Sequence, residues 1–228
     1  MSRTGGRPGT ILVINPNSSQ SVTAAIDIAV EPLRIAGGPT IEVIDLPEGP
    51  PGIMTQQDSD SVILPLARLT KAHPADAFVI ACFSDPGLHA VREAAGGRPV
   101  MGIAEWGILR ARTLGERFGI IALSPNSIKR QQRLTRTMGV DSRFAGSWSV
   151  GLSAAESAEA SIRDRMIEAG RALVQTLRAD VVVLGCAGMA SHRSAIEKAI
   201  GCPVVEPSQQ AVAAAMGALL LREPPAGT

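Results

Sequence analysis

The sequence contains no tyrosine and few aromatic residues of any kind. Aromatic residues account for 3% of its 228 residues. A folded core must therefore be built from Ala, Val, Ile and Leu, which is typical of buried parallel β-strands. Because 45% of the residues are hydrophobic and only 19% are charged, the scarcity of aromatics does not indicate a disordered chain.

An excess of charge of either sign is also missing. The chain has 22 basic and 21 acidic residues, a formal net charge of +1. We therefore expect no nucleic-acid or anionic-membrane partner, since both need a basic surface. No apolar run is long enough to cross a bilayer, and residues 1–10 are polar and Gly-rich, unlike a signal peptide. These features predict a flexible segment over residues 1–10 and a cytoplasmic location.

Cysteine is scarce as well. Cys82, Cys186 and Cys202 are an odd, widely spaced set, which does not make a disulfide framework. There is no Cys-x-x-Cys pair for a histidine to join, so we expect no structural zinc site and no other metal. No G-x-G-x-x-G or Walker pattern stands at a strand–helix junction, so a nucleotide is disfavoured and no cofactor is expected.

The chain does have a regular alternation of short apolar runs and helical patterns. This alternation predicts parallel β-sheets joined by crossover helices. Landmarks recur in the second half at nearly constant offsets: Cys82 is matched by Cys186 and Pro99 by Pro203, both 104 residues later. The repeat predicts an α/β fold with two similar lobes, each a parallel sheet flanked by helices. We expect pseudo-two-fold symmetry and an active site in the cleft between the lobes.

The repeat also suggests domain boundaries. Residues 11–105 are expected to form the first lobe and residues 106–207 the second, with a terminal helix over 208–221 packing back on the first lobe. Good helix formers at amphipathic spacing predict a single helix within residues 154–177. The basic cluster over residues 129–136 is interpreted as the solvated face of a helix.

Cys82 and Cys186 are the leading candidates for catalysis. Each ends an apolar run and precedes a turn of small residues, and open α/β sheets bind ligands at this carboxyl edge. A lone buried cysteine is usually an inert small hydrophobe, and Cys202 is interpreted in that way. Two matched cysteines that meet across a cleft can act differently. A thiolate removes a proton from one face of a carbon, and a thiol returns one on the other face.

A carbanion formed between two thiols needs groups that stabilise it. The backbone N–H groups after each cysteine are candidates for an oxyanion cradle. Asn15, at the end of the first strand, is a candidate for holding a substrate carbonyl or carboxylate, and Ser124 occupies the matching place in the second half. The predicted substrate-binding residues are Asn15, Phe83, Ser84, Ser124, Ala187 and Gly188.

Six motifs occur along the chain: VINPNS (residues 13–18), CFSDPGL (82–88), PVMGIAE (99–105), GERF (115–118), LGCAGM (184–189) and PVVEP (203–207). Together they resemble the aspartate/glutamate/hydantoin racemase superfamily, and the hydantoin racemase branch most closely. The resemblance implies a two-lobed α/β fold and a cofactor-independent two-base mechanism, with Cys82 and Cys186 as the catalytic residues. Two positions depart from the pattern: Ser84 stands where glycine is expected and Glu206 where aspartate is expected.

These observations predict an isomerase that racemises a small amino-acid derivative, a 5-substituted hydantoin or a similar cyclic ureide such as allantoin. Three alternatives remain open. The first is an aspartate/glutamate-type racemase. The second is a decarboxylase or cis–trans isomerase that uses one cysteine. The third is a two-lobed module that binds a small ligand without catalysis. The sequence leaves a homo-oligomer open.

Overall fold

The computed structural model describes residues 9–221 and confirms the alternation of strands and helices. Pro224 and Pro225, expected to end the last helix, and most of the segment 1–10 lie outside the described residues. The strands are β1 (Thr10–Asn15), β2 (Thr40–Asp45), β3 (Ala77–Ile80), β4 (Val100–Gly102), β5 (Phe118–Ala122), β6 (Phe144–Ser149), β7 (Val181–Leu184) and β8 (Val204–Val205). The α-helices are α1 (Gln20–Val30), α2 (Gln56–Ser61), α3 (Ile63–Ala72), α4 (Leu88–Ala94), α5 (Ile103–Ala111), α6 (Pro125–Thr137), α7 (Arg163–Gln175), α8 (Arg193–Ile200) and α9 (Pro207–Leu221).

The strands form two parallel sheets of four strands each. The order is β2-β1-β3-β4 in the first sheet and β6-β5-β7-β8 in the second, so the two sheets have the same topology. The inner strands β3 and β7 are buried along their whole length, as expected of parallel strands covered on both faces. The predicted architecture of two similar lobes, each a parallel sheet flanked by helices, is confirmed.

Each sheet is packed against a helix that comes, in sequence, directly after the last strand of the other sheet. Helix α5 follows β4 of the first sheet, but its Ile108 packs with Val183 of the second sheet. Helix α9 follows β8 of the second sheet, but its Val212 packs with Val79 of the first. The two helices also contact each other. Because of this exchange, the sheets are joined by shared apolar packing that fixes their carboxyl edges relative to each other.

The predicted helix over residues 154–177 is wrong in its first third. The α-helix begins only at Arg163, and two short 3-10 helices, Glu156–Ala158 and Ala160–Ile162, precede it. The Glu156 carboxylate accepts hydrogen bonds from both the backbone N–H and the hydroxyl of Ser153. Such local side-chain bonds compete with α-helix formation. We call residues 151–162 the crossing segment, because their 3-10 helix Glu156–Ala158 contacts α1 of the first lobe.

Two further boundaries differ from the sequence pattern. The apolar residues Val62, Leu66 and Leu69 have the spacing of one helix, but the structure has two helices here, α2 and α3. A capping box between Thr55 and Asp58 starts α2. At the N-terminus, β1 already begins at Thr10. Within residues 9–221, no helix is both long enough and apolar enough to cross a membrane.

Candidate active site

The two cysteines stand at equivalent points of the two sheets. The N–H of Ala81 donates to the carbonyl of Ile14 over 2.8 Å, which extends the β1–β3 pairing one residue past the strand. The N–H of Gly185 donates to the carbonyl of Ile121 over 2.9 Å in the same way. In each lobe the next residue is the cysteine. The same hydrogen-bond register therefore brings a thiol to the carboxyl edge of each sheet.

Both thiols line one cavity between the lobes. The cavity measures about 490 Å³, its open mouth included. Its wall combines apolar side chains such as Ile53 and Leu123 with a few polar ones, as is usual for small-molecule sites. The polar side chains other than the two thiols are Asn17, Ser84, Ser127, Arg130 and Gln131.

Cys82 is held next to a hydroxyl group from its own turn. Its Sγ lies 3.6 Å from the Oγ of Ser84. Burial raises the pKa of the Cys82 thiol to about 11, while the hydroxyl and the backbone N–H of Ser84 act in the opposite direction. The negative charges of Cys186 and Asp85 raise it further. The thiol is therefore mainly neutral, and two donors are in place to stabilise a thiolate.

Cys186 has the same two kinds of donor, but the hydroxyl comes from elsewhere in the chain. Its Sγ lies 3.6 Å from the Oγ of Ser157, which is on the crossing segment. Burial raises the pKa of Cys186, and the Ser157 hydroxyl and the backbone N–H of Gly188 lower it. Gly188 has no Cβ, and the Ser157 hydroxyl occupies the space that a Cβ there would need. The sequence reasoning missed Ser157, and the glycine at 188 was the only signal that something packs there.

The expected substrate-binding residues divide into two groups. Asn15 is fully buried, and its amide donates to Asn17 Oδ1 and Thr23 Oγ1, both over 3.0 Å. Ser124 begins α6 and its hydroxyl accepts the N–H of Ser127 over 3.4 Å. Asn17 and Ser127 line the cavity, whereas these two side chains are not among the lining residues, and their contact with a substrate stays a prediction. Phe83, Ser84 and Ala187 do line the cavity, and Gly188 contributes its N–H toward Cys186.

Part of helix α6 faces the cavity rather than solvent. Arg130 and Gln131, from the basic cluster over residues 129–136, line the cavity. Arg130 Nη1 donates to the carbonyl of Met54 over 2.8 Å, and this bond joins the second lobe to a loop of the first. Gln131 is buried and its Oε1 accepts the hydroxyl of Ser147 over 2.6 Å. The interpretation of this cluster as purely solvent-facing is therefore wrong at these two positions.

Asp85 fixes the turn that carries Cys82. Its carboxylate accepts the N–H groups of Ala104 and Glu105 over 3.0 and 2.7 Å, so it caps α5 rather than the helix that follows it in sequence. Burial raises the pKa of Asp85 to about 7, against the effect of these two N–H donors. Asp85 also adopts a φ of 43°, which is uncommon for a residue other than glycine. The turn is thus tied to the helix that crosses to the second lobe.

Glu206 has a comparable structural role in the second lobe. Its carboxylate accepts the N–H groups of Ser208 and Gln209 over 3.1 and 2.6 Å in the first turn of α9. Burial raises its pKa. It therefore caps a helix and does not line the cavity. Within the described part of the chain, no cluster of three His, Cys, Asp or Glu side chains is arranged to hold a metal ion.

A cavity with a thiol on each of two facing lobes is suited to an enzyme that moves a proton at a single carbon. One thiol can act from each side of the carbon, and the donors around each sulfur are equivalent. This arrangement is typical of an isomerase of the racemase type. It does not by itself identify the substrate.

Comparison with known proteins agrees with this class. The family model described as Asp/Glu/Hydantoin racemase matches residues 11–215, and the chain belongs to this family. A hydantoin racemase of Paenarthrobacter aurescens is 34% identical over 207 residues, which cover 88% of this chain and 87% of the relative. The protein is therefore an isomerase of the racemase type, which disfavours a binding module without catalysis.

Solved structures agree with the fold. An allantoin racemase from Klebsiella pneumoniae superposes with a TM-score of 0.87 at 28% identity, covering 93% of this chain and 88% of that chain. Arylmalonate decarboxylase superposes with a TM-score of 0.60 at 21% identity over 92% of both chains. The second likeness shows a shared fold alone, so the architecture by itself does not fix the reaction.

Proposed function

We propose that the protein racemises a cyclic ureide, a 5-substituted hydantoin or a close relative such as allantoin, by proton transfer between Cys82 and Cys186. The observation that carries the proposal is that thiols from equivalent strands of the two lobes line one cavity. Similarity to a hydantoin racemase and to an allantoin racemase supports this substrate class. A decarboxylase or cis–trans isomerase with one cysteine gives no role to the second thiol.

The reaction needs one thiolate and one thiol. The thiolate takes the proton from the carbon that carries the substituent, and the electron pair of that C–H bond moves toward the adjacent carbonyl oxygen as an enolate. The other thiol then donates its proton to the opposite face of the carbon. The product is the mirror image of the substrate at that centre. The two cysteines have exchanged protonation states, so the enzyme is ready for the reverse direction.

One energetic cost of the reaction is the formation of the thiolate. With a pKa of about 11, Cys82 carries a thiolate in roughly one molecule in 10⁴ at pH 7. Each sulfur has a hydroxyl and a backbone N–H to stabilise its negative charge: Ser84 supplies both for Cys82, and Ser157 and Gly188 supply them for Cys186. Because each sulfur has a hydroxyl and an N–H donor to stabilise its thiolate, each cysteine can act as the base for one enantiomer.

The direct test is incubation of single enantiomers in deuterium oxide. We expect loss of optical activity together with incorporation of one deuterium at the reacting carbon for a 5-substituted hydantoin or allantoin. Aspartate and glutamate are run in parallel, and protein-free buffer corrects for spontaneous exchange. Turnover of only the amino acids would remove the cyclic-ureide assignment. Absence of both racemisation and exchange with every compound would overturn the proposed function.

A further inference from the structure

Among residues 9–221, Arg130 is the one cationic side chain that lines the cavity described above. It reaches the cavity from α6, and two hydrogen bonds hold its guanidinium. Nη1 donates to the Met54 carbonyl over 2.8 Å and Nη2 donates to Ser127 Oγ over 3.4 Å. Arginine has five N–H donors in a planar fork, so these two bonds fix its direction and leave donors free. The positive charge is therefore held in place on the wall that also carries Ser84 and Cys82.

The guanidinium has no carboxylate to balance it. Among the ion pairs of residues 9–221, none includes Arg130. Asp58 is the acidic residue whose charge Arg130 feels, but its Oδ2 already accepts the N–H groups of Met54 and Thr55. Burial is the main cause that lowers the pKa of Arg130, and the charge of Cys82 opposes it. A partly buried cation of this kind is stabilised when an oxygen acceptor or an anion enters the site.

We propose that Arg130 binds an oxygen of the substrate and thereby selects substrates that present a carbonyl or carboxylate oxygen to α6. This inference rests on the proposed function and adds a specificity-determining residue to it. The same positive charge favours the thiolate form of Cys82, because both groups line the same cavity and their charges interact. A planar fork with free donors suits ureide, amide and carboxylate oxygens and offers nothing to an alkyl group.

The chemistry allows two sources for this oxygen, the hydantoin ring or its substituent. Allantoin has a ureido substituent with a carbonyl oxygen, whereas 5-isobutylhydantoin has the same ring with an alkyl substituent. If Arg130 contacts a ring oxygen, its removal weakens the binding of both compounds. If it contacts the substituent, its removal weakens the binding of allantoin alone. Either result supports the proposal and identifies the source.

The test uses Arg130→Gln and Arg130→Lys, with Arg136→Gln as the matched control. Arg136 is exposed on the same helix and does not line the cavity. In Arg130→Gln we expect KM for at least one of the two substrates to rise by roughly 10- to 100-fold, the effect of losing a charged hydrogen bond. Lysine keeps the charge without the fork, so Arg130→Lys should recover the reactivity of Cys82 more fully than KM. Arg136→Gln should match the wild type in both measurements.

The second readout is the rate at which iodoacetamide alkylates Cys82, followed by peptide mass spectrometry across a range of pH. In Arg130→Gln we expect the pH profile of Cys82 alkylation to shift to higher pH. This measurement needs no substrate. It therefore tests Arg130 even if no ureide is turned over, which would instead count against the proposed function. Circular dichroism verifies folding, and Arg130→Lys serves if the glutamine variant does not fold. Unchanged KM for both compounds with unchanged alkylation in the folded variant would overturn the inference.

Discussion

Ser157 Oγ lies 3.6 Å from the Sγ of Cys186, although the two residues are 29 positions apart in the chain. In the first lobe the same separation, 3.6 Å, joins Cys82 to Ser84, two positions away. The two lobes thus reach one chemical arrangement by different routes. In the first lobe the hydroxyl beside the cysteine belongs to Ser84, two residues after it. The equivalent position in the second lobe is Gly188, and the hydroxyl of Ser157 fills the space beside it. The donor atoms around the two sulfurs are therefore equivalent, although the residues that supply them are not at equivalent sequence positions.

Ser157→Ala should impair Cys186 selectively. Removal of the hydroxyl takes away one of the two donors that lower the pKa of Cys186, so its thiolate becomes harder to form. A hydrogen bond of this kind contributes about 1 kcal/mol, which corresponds to roughly a five- to tenfold slower reaction for the enantiomer that Cys186 deprotonates. Steady-state kinetics with each enantiomer separately measures the effect. Ser161→Ala, an exposed position in the same segment, should leave both directions unchanged. A Ser157→Ala enzyme with wild-type rates would remove this residue from the site.

Gly188→Ala should disturb the same contact from the opposite side. A Cβ at this position would occupy the space of the Ser157 hydroxyl. We expect the single variant to lose activity, and the double variant Gly188→Ser with Ser157→Gly to recover part of it, because the hydroxyl is then carried on the turn as in the first lobe. Alkylation of Cys186 as a function of pH reports the effect directly. If the double variant is as impaired as Gly188→Ala, the hydroxyl at Ser157 is not interchangeable with one on the turn.

The paired thiols could be predicted from the sequence because their signal is local. An apolar strand, a cysteine and a turn of small residues occur twice, 104 residues apart, and parallel sheets of equal topology place them at equivalent edges. Ser157 and Arg130 have no local signal of this kind. Ser157 lies in a stretch with helical periodicity that tertiary contacts reshape, and Arg130 is one of several basic residues on α6. Their roles depend on packing between distant segments, which periodicity does not report.

The roles of Asn15 and Ser124 as substrate-binding residues stay predictions for a related reason. Both residues were placed correctly at the ends of β1 and β5, where a ligand was expected. Polar residues at a strand end are also those that build the turn into the next helix. The two side chains serve that turn, and residues two or three positions later reach the cavity. Sequence spacing gave the correct edge of the sheet but not the direction of each side chain.

Cys82→Ser and Cys186→Ser should each abolish racemisation. A serine hydroxyl is far less acidic than a thiol, so the substituted side can neither accept nor return the proton. We expect a loss of about 10²- to 10⁴-fold, the usual contribution of a positioned acid or base. Each variant should still exchange the proton of one enantiomer for deuterium with retention, and the two variants should differ in which one. Cys202→Ser serves as the control because Cys202 does not line the cavity. Full activity in both variants would exclude the two-thiol mechanism.

The alkylation of Cys82 should depend steeply on pH. Burial raises the pKa of this thiol to about 11, and only the thiolate reacts. Below that pKa the thiolate fraction increases tenfold per pH unit, so the rate should rise continuously from pH 7 to about pH 11. Peptide mass spectrometry after short exposure to iodoacetamide separates Cys82 from the other two cysteines. A plateau reached near pH 7 would mean that the thiol is already ionised and that burial does not control it.

Gly102→Ala should destabilise the fold and loosen the turn that carries Cys82. A Cβ at this position would overlap the Asp85 carboxyl group, which accepts the N–H groups of Ala104 and Glu105 at the start of α5. Overpacking of this kind typically costs about 1–3 kcal/mol of the free energy of unfolding. Chemical denaturation measures this loss, and the alkylation profile of Cys82 should shift with it because Asp85 is displaced.

The matched control for this variant is Gly217→Ala. Gly217 lies within α9, and a Cβ there would meet no other atom within 4 Å. Since alanine loses less conformational freedom than glycine when a helix forms, this substitution should stabilise the protein by about 0.4–1 kcal/mol. It should leave Cys82 unaffected. Equal stability changes in the two variants would show that a Cβ at Gly102 is tolerated. An unshifted alkylation profile in Gly102→Ala would show that the turn that carries Cys82 does not depend on Asp85.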